Sequence, residues 1–490
     1  MQLKEILENC LIIEISDKNI LNLTIKSLSQ NTQHVGENSL FICNKGYSFD
    51  SHDYVNEVVH DGALAVVVER IPDGIDVPYI LVKDTQKAMA QIATTFLNHP
   101  SSQLKMIGVT GTNGKTTITH IIDYLIETCD DKSGVIGTMY NKIDQEIVPT
   151  VNTTPDSLTL QSILHEMHQA DVDVCTMEVS SHGLQLGRSW GVDFDVAVFT
   201  NLTQDHLDFH KTMDDYFLAK SLLFSQLGNS YNSSKNKIAV VNYDDPYGRK
   251  LIPLTAANVL TYGCKGFADV QAKDIKITPA GMTFTLKVFK EEWSVSTKLI
   301  GGFNVYNLLA AVTAVYSLGY PLEKIVKAIG GIEGVKGRFE VIPSKKGVTA
   351  IVDYAHTPDG LKNVLETANQ FAENKVFCVV GSGGDRDKAK RPIMADIALE
   401  HADVAIFTSD NPRTEDPDEI LKDMVSHLDQ DSFIPEVDRK KAIYRAVKRA
   451  DEGDIILVAG KGHENYQIIG KTKHHFDDAE ILQEAGEQLS

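Results

Sequence analysis

The stretch GVTGTNGKTT, residues 108–117, decides the fold of the central part of the chain. A strand-like segment, LKMI, comes directly before it, and the helical pattern ITHIIDYLIE follows it. Glycines at 108, 111 and 114 let the backbone curve around an anion without side-chain clashes. The sequence therefore predicts a phosphate-binding loop, with Lys115 on the terminal phosphates and Thr116 on magnesium. A glycine turn that only joins a strand to a helix is the alternative.

The loop is one residue longer than the standard phosphate-binding pattern. In G-x-x-x-x-G-K-[ST] the first glycine would fall at Val109, whereas this chain has glycine at 108 and its Gly-Lys pair at 114–115. The extra residue argues against an ordinary kinase or GTPase.

Three regions separate by pattern, and we expect an α/β fold with one domain for each. Residues 1–98 contain short strand-like runs and end in a helical segment, and PSSQ (100–103) is predicted to be a linker. Residues 99–333 alternate strands with helices, which predicts a mainly parallel sheet around the phosphate loop. NVYNLLAAVTAVYSLG is expected to be the last helix of this region. Residues 334–490 alternate again and predict a Rossmann-like domain.

Composition indicates an ordinary globular chain. Its net charge of −20 disfavours nonspecific binding to nucleic acid or to anionic membranes. The six cysteines form no CxxC pair, which fits reduced thiols in the cytosol. The first residues, MQLKEILENC, lack the pattern of a secretory signal. We therefore expect a cytoplasmic protein, a monomer, that binds neither nucleic acid nor membrane.

Polar clusters follow the strands of the second region. EVSSHGLQLGR contains Glu178 and Arg188, TNLTQDHLDFH contains His206, and DDYFLAK places Tyr216 and Lys220 on one helical face. Each cluster taken singly has a purely structural interpretation, such as a cap partner or a surface histidine. Together they supply the carboxylate and imidazole groups that a Mg²⁺–ATP site requires.

At this point the chain resembles the Mur ligase family, which couples ATP hydrolysis to amide-bond formation on peptidoglycan precursors. The resemblance covers nearly the whole chain. Beside the phosphate loop it rests on the ordered motifs NTTPD, EVSSH, TNLTQDHLDFH, YFLAK, GGFNVYNLLAA, GRFE, DYAHTPDG, GGDRDKAKRP, DNPRTEDP and GKGHE. It implies a UDP-N-acetylmuramoyl-binding domain over residues 1–98, an ATP-binding domain over 99–333 and an amino-acid-binding domain over 334–490.

The resemblance also implies roles for matching residues. Catalytic roles fall to Lys115, Glu178, His206 and Lys220, and Mg²⁺ ligands are Thr116, Glu178, His206 and Lys220. ATP contacts are Gly111, Thr112, Asn113, Gly114, Lys115, Thr116, Thr117, Asn304, Asn307, Arg338 and Asp353. Nucleotide-sugar contacts are Thr32, Asn152, Thr153, Thr154, Ser180 and Arg188. Lys220 matches a lysine that carries a carbamate formed from CO₂. Such chemistry needs a neutral amine, hence a partly buried lysine with a lowered pKa, whereas the alternative is a solvated lysine.

The resemblance further implies that the third region determines which amino acid is added. Its motifs look like those of members that add meso-diaminopimelate, and the matching positions are Asp410, Asn411, Pro412, Arg413, Arg386, Gly460 and Glu464. Diaminopimelate differs from lysine by a second carboxylate, which an arginine can hold bidentately. We expect this role for Arg413, with Arg386 on the other carboxylate and Glu464 on the distal ammonium. An exposed loop arginine is the alternative at Arg413.

The expected reaction joins this amino acid to UDP-N-acetylmuramoyl-L-alanyl-D-glutamate through an acyl phosphate. Two departures concern the nucleotide-sugar side: the family's Asp-Ser-Arg appears as Asn31-Thr32-Gln33, and Leu186 stands where relatives often have glutamine. A lysine-adding member is the nearest alternative. Folylpolyglutamate synthase, with a similar loop, has no support in DNPRTEDP. A non-catalytic binder would predict damage at the four catalytic positions, and all four are intact.

Overall fold

The computed structural model describes residues 1–46, 49–229, 236–342 and 347–488. Up to residue 104 the elements are α1 (Leu3–Ile6), β1 (Ile12–Ile15), β2 (Ser27–Ser29), β3 (Ser39–Ile42), α2 (Val55–His60), β4 (Ala63–Val68), β5 (Tyr79–Val82) and α3 (Thr85–Phe96). Next come β6 (Lys105–Thr110), α4 (Lys115–Thr128), β7 (Ser133–Ile136), β8 (Asn141–Ile143), β9 (Glu146–Val148), α5 (Ser157–Gln169), β10 (Val174–Glu178), α6 (Ser181–Gln185), β11 (Val196–Phe199), α7 (Leu207–His210) and α8 (Met213–Ser225).

The remaining elements run to the end of the described chain. They are β12 (Ile238–Asn242), α9 (Pro246–Leu251), β13 (Asn258–Gly263), β14 (Val270–Thr278), β15 (Gly281–Val288), β16 (Glu291–Thr297), α10 (Gly302–Ser317), α11 (Leu322–Ile329), β17 (Glu340–Ile342), β18 (Thr349–Asp353), α12 (Pro358–Asn369), β19 (Val376–Ser382), α13 (Lys390–His401), β20 (Val404–Ser409), α14 (Pro417–Val425), β21 (Ile434–Pro435), α15 (Arg439–Arg449), β22 (Ile455–Ala459), β23 (Tyr466–Ile469), β24 (Thr472–His475) and α16 (Asp478–Gln488).

The chain forms two compact units. The first comprises Met1–Gly108 and Asp130–Val196, and the second comprises Val109–Cys129 and Ala197–Ser490. In the first unit, β1 to β5 form a sheet of order β1-β5-β4-β3-β2, in which only the β1–β5 pair is antiparallel. The same unit contains the parallel pair β10–β7. Strand β8 pairs antiparallel with β7, and β9 pairs antiparallel with β8.

The second unit contains the phosphate loop and the third region. Helix α4 follows the loop and packs against α10. Strands β12, β13 and β14 pair in parallel, and β15 and β16 continue the sheet antiparallel. The third-region sheet has the order β17-β18-β22-β19-β20-β21, with only β17 antiparallel. The parallel strands β18, β22, β19 and β20 alternate with helices along the chain, as the sequence predicts for residues 334–490.

Both faces of the third-region sheet are covered by helices. Cys378 and Val380 on β19 lie in one apolar cluster with residues of α12, α13 and α14. Their neighbours Phe377 and Val379 lie in the opposite cluster with residues of α15 and α16. Alternate residues of a strand point to opposite faces, so nearly continuous apolar strands are buried on both sides. This packing leaves the carboxyl ends of the strands for polar loops.

The structure adds detail to one local prediction and contradicts another. The predicted linker PSSQ is a 3₁₀ turn, Pro100–Gln103, in which Pro100 and Ser101 are buried. The Ser101 hydroxyl accepts a hydrogen bond from the Asp193 amide, at 3.0 Å. The last helix of the second region is α11, which follows α10 and was not predicted.

No helix in the described residues has the length and apolar character needed to cross a bilayer. The domain boundaries at 98 and 333 stay a prediction.

Candidate functional site

The glycine loop has a backbone that only glycine accommodates. Gly111 has φ of 149° and Gly114 has φ of 90°, in the region that side chains disfavour. A Cβ atom at Gly114 would lie 2.5 Å from Oδ1 of Asn307, so α10 packs directly against the loop. Gly114 precedes the first turn of α4 and offers no side-chain cap. The loop therefore has the shape of an anion cradle at a helix N-terminus.

Lys115 and Thr116 lie where the loop enters the helix. Lys115 Nζ donates hydrogen bonds to the carbonyl oxygens of Gly111 and Thr112, at 2.9 and 2.8 Å. The Thr116 hydroxyl accepts a hydrogen bond from Nη2 of Arg338, at 3.0 Å. The ammonium, the hydroxyl and the guanidinium thus gather at one end of the loop, an arrangement suited to a polyphosphate.

Lys220 is buried beneath the same loop. It is 1% exposed, and its Nζ donates a 2.7 Å hydrogen bond to the Gly111 carbonyl. The Nζ also lies 4.5 Å from the ring centre of Tyr216, one turn earlier on α8. Burial, and then the positive charge of Lys115, lower the pKa of Lys220 well below its ordinary value. The amine is therefore held toward its neutral, nucleophilic form.

A charged cluster surrounds Asp205, beside His206. Asp205 Oδ2 is 3.2 Å from Nε2 of His206 and 4.0 Å from Nε2 of His356, and Oδ1 is 3.6 Å from Nζ of Lys390. Burial favours the neutral carboxyl, but the charges of His206, Lys390 and His356 outweigh it and lower the pKa of Asp205. Lys390 lies in the motif GGDRDKAKRP but was not among the site residues predicted from the sequence.

The predicted nucleoside contacts divide between α10 and the start of the third region. Asn307 Nδ2 donates to Oδ1 of Asn304, at 2.8 Å, on the face of α10 that meets the loop. The Arg338 guanidinium stacks 4.4 Å from the ring centre of Tyr354. Asp353 accepts a hydrogen bond from the Phe339 amide, and burial raises the pKa of its carboxyl to about 6. All of these residues belong to the second unit.

Most of the predicted nucleotide-sugar contacts converge within the first unit. The Thr154 hydroxyl donates to the Glu178 carbonyl at 3.0 Å and to the Ser180 hydroxyl at 3.1 Å. Arg188 Nη1 donates to the Thr154 carbonyl at 3.1 Å. The Glu178 carboxylate accepts hydrogen bonds from the amide and hydroxyl of Thr138, at 2.8 and 3.1 Å. Buried Thr154 is thus the centre of this cluster.

The other contacts predicted in the first unit lie around this cluster. Thr153 shares a 3.0 Å hydrogen bond with the Thr138 hydroxyl, and Asn152 is exposed beside it. Thr32 lies in a turn, near Gln30, whose side chain donates to Asp156 at 2.6 Å. Because Asp156 caps α5 just after Thr154, the turn and the cluster are near neighbours.

The third-region motifs form a second charged cluster at the ends of β20 and β22. Lys461 is fully buried, and its Nζ donates to Asn411 Oδ1 and to Glu464 Oε2, both at 3.2 Å. Asn411 Nδ2 also donates to Glu464, at 2.8 Å. A Cβ at Gly460 would lie 2.5 Å from Oδ2 of Asp410, which explains the glycine there. Lys461 was missed by sequence analysis, although it lies inside the motif GKGHE.

The charges of this cluster shift the pKa values of the Asp410 and Glu464 carboxylates in opposite directions. Burial favours the neutral form of Asp410, but the charges of Lys461 and Arg439 prevail and lower its pKa. Burial, and then the charge of Asp410, raise the pKa of Glu464. Arg413 Nη1 lies beside them and donates to the Gly384 carbonyl at 2.8 Å. The cluster therefore presents cationic and anionic groups together, as a zwitterionic ligand requires.

The capacity of this site to bind a metal depends on the side chains that are present. Among the described residues, no group of three or more His, Cys, Asp or Glu could hold a metal ion. Magnesium in nucleotide sites takes much of its coordination from phosphates and water. The Thr116 hydroxyl offers the oxygen that magnesium prefers, whereas His206 offers a nitrogen, which magnesium takes less readily. The ligand set of Thr116, Glu178, His206 and Lys220 stays a prediction.

Strand, glycine loop, helix and charged strand-end loops together define a nucleotide-dependent enzyme of α/β fold. The chain belongs to the Mur ligase family: residues 109–315 match the Mur ligase middle domain, and residues 337–462 match the family described as Mur ligase, glutamate ligase domain. It is 50% identical over 481 residues, 98% of this chain and 97% of the relative, to UDP-N-acetylmuramoyl-L-alanyl-D-glutamate--2,6-diaminopimelate ligase of Lactiplantibacillus plantarum. It is 52% identical to the Bacillus cereus protein of the same name, over 95% of this chain and 94% of that protein.

Solved structures agree with this placement. One structure of a UDP-N-acetylmuramoyl-L-alanyl-D-glutamate--2,6-diaminopimelate ligase superposes with a TM-score of 0.70 at 34% identity, covering 100% of this chain and 99% of that chain. The Thermotoga maritima MurF ligase in complex with ADP has a TM-score of 0.67 at 22% identity, covering 96% of this chain and 98% of that chain, and shows a shared fold. These findings confirm the α/β fold class and the family resemblance.

Proposed function

We propose that this protein is an ATP-dependent ligase that joins meso-diaminopimelate to UDP-N-acetylmuramoyl-L-alanyl-D-glutamate, as the names of its relatives describe for them. ATP use is supported by the glycine loop with Lys115 and by the ADP complex of a protein with the same fold. The regions 1–98, 99–333 and 334–490 are proposed to bind the nucleotide sugar, ATP and the amino acid. The cytoplasmic location and the monomeric state stay predictions.

The observation that carries the amino-acid assignment is the charged cluster of the third region. Arg386 and Arg413 are close enough for the charge of Arg386 to act on Arg413, and both lie within reach of loops that also carry Asp410 and Glu464. Two guanidinium groups beside two carboxylates suit a ligand that has two carboxylates and, besides the amine that reacts, a distal ammonium. Lysine offers one carboxylate fewer, so it would leave one of these arginines without an anionic partner.

Phosphoryl transfer is proposed to occur at the glycine loop. The γ-phosphate would move from ATP to a substrate carboxylate and leave ADP. The incoming neutral amine would then attack the acyl carbon, lose a proton and expel inorganic phosphate as the amide bond forms. Lys115 and Arg338 are placed to neutralise the charge on the phosphate oxygens, because both reach the start of α4. The protein's contribution is then positioning and charge stabilisation.

Lys220 is proposed to carry a carbamate formed from CO₂. The support is its burial, the Gly111 carbonyl at 2.7 Å and the neighbouring charge of Lys115, which together favour the neutral amine. Carbamylation converts the buried cation into an anion. When bound, Mg²⁺ would supply countercharge for that anion and for the phosphates. Thr116, Glu178 and His206 are the other proposed ligands.

The nucleotide sugar is proposed to bind the first-unit cluster around Thr154, with Ser180 and Arg188 as its polar contacts and Thr32 in the adjacent turn. Thr32 retains the hydroxyl of the family's Asp-Ser-Arg pattern. The charged residues on either side of it are replaced by the neutral Asn31 and Gln33. The affinity of the first-unit cluster for the nucleotide sugar would therefore depend on the positive charge of Arg188.

Phosphate release tests the function. Purified protein is supplied with ATP, Mg²⁺, bicarbonate and UDP-N-acetylmuramoyl-L-alanyl-D-glutamate, and each amino acid is added separately. We expect turnover with meso-diaminopimelate, little with L-lysine, and loss of diaminopimelate turnover in Arg413→Ala. Turnover with lysine but not diaminopimelate would show that the arginine argument is wrong. Binding of the nucleotide sugar without any turnover would support the non-catalytic alternative.

A further inference from the structure

Arg391 is a fully buried guanidinium that the proposed reaction does not use. It lies in the first turn of α13 and is 0% exposed. Its Nη1 and Nη2 donate to the two carboxylate oxygens of Glu415, at 3.0 and 2.9 Å. Nη1 also donates to Asp423 on α14, at 2.7 Å, and Nη2 to the Gly383 carbonyl, at 3.3 Å. We call Arg391 and Glu415 the Arg391 clamp.

The clamp joins the two loops that carry the arginines of the amino-acid site. One loop, after β19, contains Gly383 and Arg386. The other, after β20, contains Arg413 and Glu415. The bidentate ion pair holds the second loop to the start of α13, and the Nη2 hydrogen bond to the Gly383 carbonyl holds the first. The Arg391 hydrogen bonds also hold the pKa of Glu415 down at about 2. The clamp is therefore charged and intact over the whole physiological pH range.

Further contacts between the two loops converge on Asp385, next to Arg386. Its amide donates to Glu415 at 2.6 Å, and its carboxylate accepts from the hydroxyl and amide of Thr414, at 2.7 and 3.2 Å. Asp385 and Arg413 both have positive φ, 54° and 53°. Such backbones persist only where the surroundings hold them. The loop contacts thus fix the backbone at Arg413 and at Asp385, the residue before Arg386.

The close approach of the loops leaves little room for adjustment. A Cβ at Gly384 would collide with the Pro412 carbonyl oxygen, and a Cβ at Gly383 would lie 3.0 Å from Nη1 of Arg413. The Gly384 amide donates to the Asn411 carbonyl at 2.9 Å. A shift of either loop would therefore change the separation of the Arg386 and Arg413 side chains.

We propose that Arg391 and Glu415 are positioning residues of the amino-acid site, which set the distance between Arg386 and Arg413 and thereby select an amino acid with two carboxylates. This inference rests on the proposed function. The clamp touches no reacting group. It acts through the arginines, because two bidentate contacts to one small ligand tolerate little misplacement.

Kinetics of Glu415→Gln and Arg391→Lys test the proposal. Gln keeps the shape of Glu415 but removes its charge, and Lys keeps the charge of Arg391 but removes its planar fork. We expect the KM for diaminopimelate to rise about tenfold. That change corresponds to the loss of one charge-assisted hydrogen bond between the ligand and a misplaced Arg386 or Arg413. The KM values for ATP and for the nucleotide sugar, and kcat, should stay within about twofold of the wild type. Glu415→Asp, which retains a carboxylate, should recover part of the loss.

The matched control is Glu436→Gln. Glu436 pairs with Arg445 at 2.8 Å in the same region and is 14% exposed, against 19% for Glu415, but it lies in neither loop. Glu436→Gln should therefore leave the KM values for all three substrates unchanged. Thr414→Val removes the hydroxyl hydrogen bond to Asp385 from an exposed site and leaves the amide one, so it tests the loop coupling even if the buried variants fail to fold. We expect a smaller rise in the same KM.

An unchanged KM for diaminopimelate in Thr414→Val and Glu415→Gln would overturn the inference, and so would equal rises for all three substrates. The proposed function has a separate readout, the turnover of the wild type. If the wild type uses lysine and not diaminopimelate, the proposed function is wrong and so is the selection of two carboxylates by the clamp. A KM change in the variants that is confined to the amino acid would then still support a positioning role for Arg391 and Glu415.

Discussion

Arg338 Nη2 donates a 3.0 Å hydrogen bond to the hydroxyl of Thr116, a residue 222 positions earlier in the chain. The bond joins the start of the third region to the first turn of the helix after the glycine loop. Arg338 also stacks on Tyr354 at 4.4 Å, which fixes the plane of its guanidinium. A single side chain thus couples the phosphate loop to the region that is proposed to bind the amino acid.

Replacement of Arg338 by lysine should weaken ATP binding. Lysine keeps the charge but loses the planar group that stacks on Tyr354 while it reaches Thr116. We expect the KM for ATP to rise about tenfold, from the loss of one charge-assisted hydrogen bond. Arg249→Lys is the control, since Arg249 also lies over a tyrosine ring, at 5.8 Å from the centre of Tyr243. Equal effects of the two substitutions would contradict a specific role of Arg338.

Replacement of Lys220 by alanine should abolish turnover, and a short carboxylic acid added to the assay should restore part of it. The reason is that a carbamate supplies a carboxylate-like anion beneath the loop, which a small acid can replace in the vacated space. Lys211→Ala is the control, because Lys211 is an exposed lysine just before the same helix. Near-normal turnover of the Lys220 variant would rule out the carbamate.

The buried Asp353 should leave a signature in the pH dependence of stability. Its folded-state pKa is raised from 3.8 to about 6, chiefly by burial and against the charge of Arg338. Between these values the folded state binds more protons than the unfolded state, so this carboxyl lowers stability as pH rises from about 4 to 6.

Asp353→Asn removes this titration. The melting temperature of the variant, relative to that of the wild type, should therefore rise between about pH 4 and pH 7. Calorimetry at several pH values measures this difference. A difference that falls or stays flat over the same range would show that the pKa of Asp353 is not raised.

The ion pair between Arg439 and Asp478 should be important for stability. Both side chains are fully buried, their closest atoms are 2.7 Å apart, and Arg439 also donates to the Ala459 carbonyl at 2.9 Å. Asp478→Ala would leave a buried, unpaired guanidinium, which costs about 3–5 kcal/mol.

An exposed pair between the same two helices serves as the control. Lys440 and Glu484 lie 2.8 Å apart at 48% and 44% exposure, so Lys440→Ala should lower the free energy of unfolding far less than Asp478→Ala does. Denaturant unfolding of both variants measures the two costs. Similar values would mean that burial does not govern the strength of these pairs.

Local signals made much of the fold predictable. The glycine loop, α4 and the four parallel strands of the third region each have a pattern that lies within one short segment. The hairpins of β14 to β16 were missed, because alternating runs such as GMTFTLKV carry a weaker signal than continuous apolar strands. Helix α11 was missed because the glycine after α10 was interpreted as the end of the region.

The candidate site was predictable as a set of residue types and less so as a set of contacts. Lys115, Arg413 and Glu464 lie inside motifs and were selected from them. Lys390 and Arg391 lie in the same motif as Arg386 but were not selected, because their partners are distant in sequence. Lys390 pairs with Asp205, and Arg391 pairs with Glu415, and neither pairing has a local signal.

The amino-acid sequence by itself determined the phosphate loop, the alternation of strands and helices, and the family, because each depends on residues that are close together or on motifs in a fixed order. Only the tertiary structure decided that Lys220 is buried under the loop, that Arg338 reaches Thr116, and that Arg391 joins two loops. The physical reason is that desolvation and long-range hydrogen bonds depend on which elements pack together, and that packing brings together side chains whose separation along the chain carries no pattern.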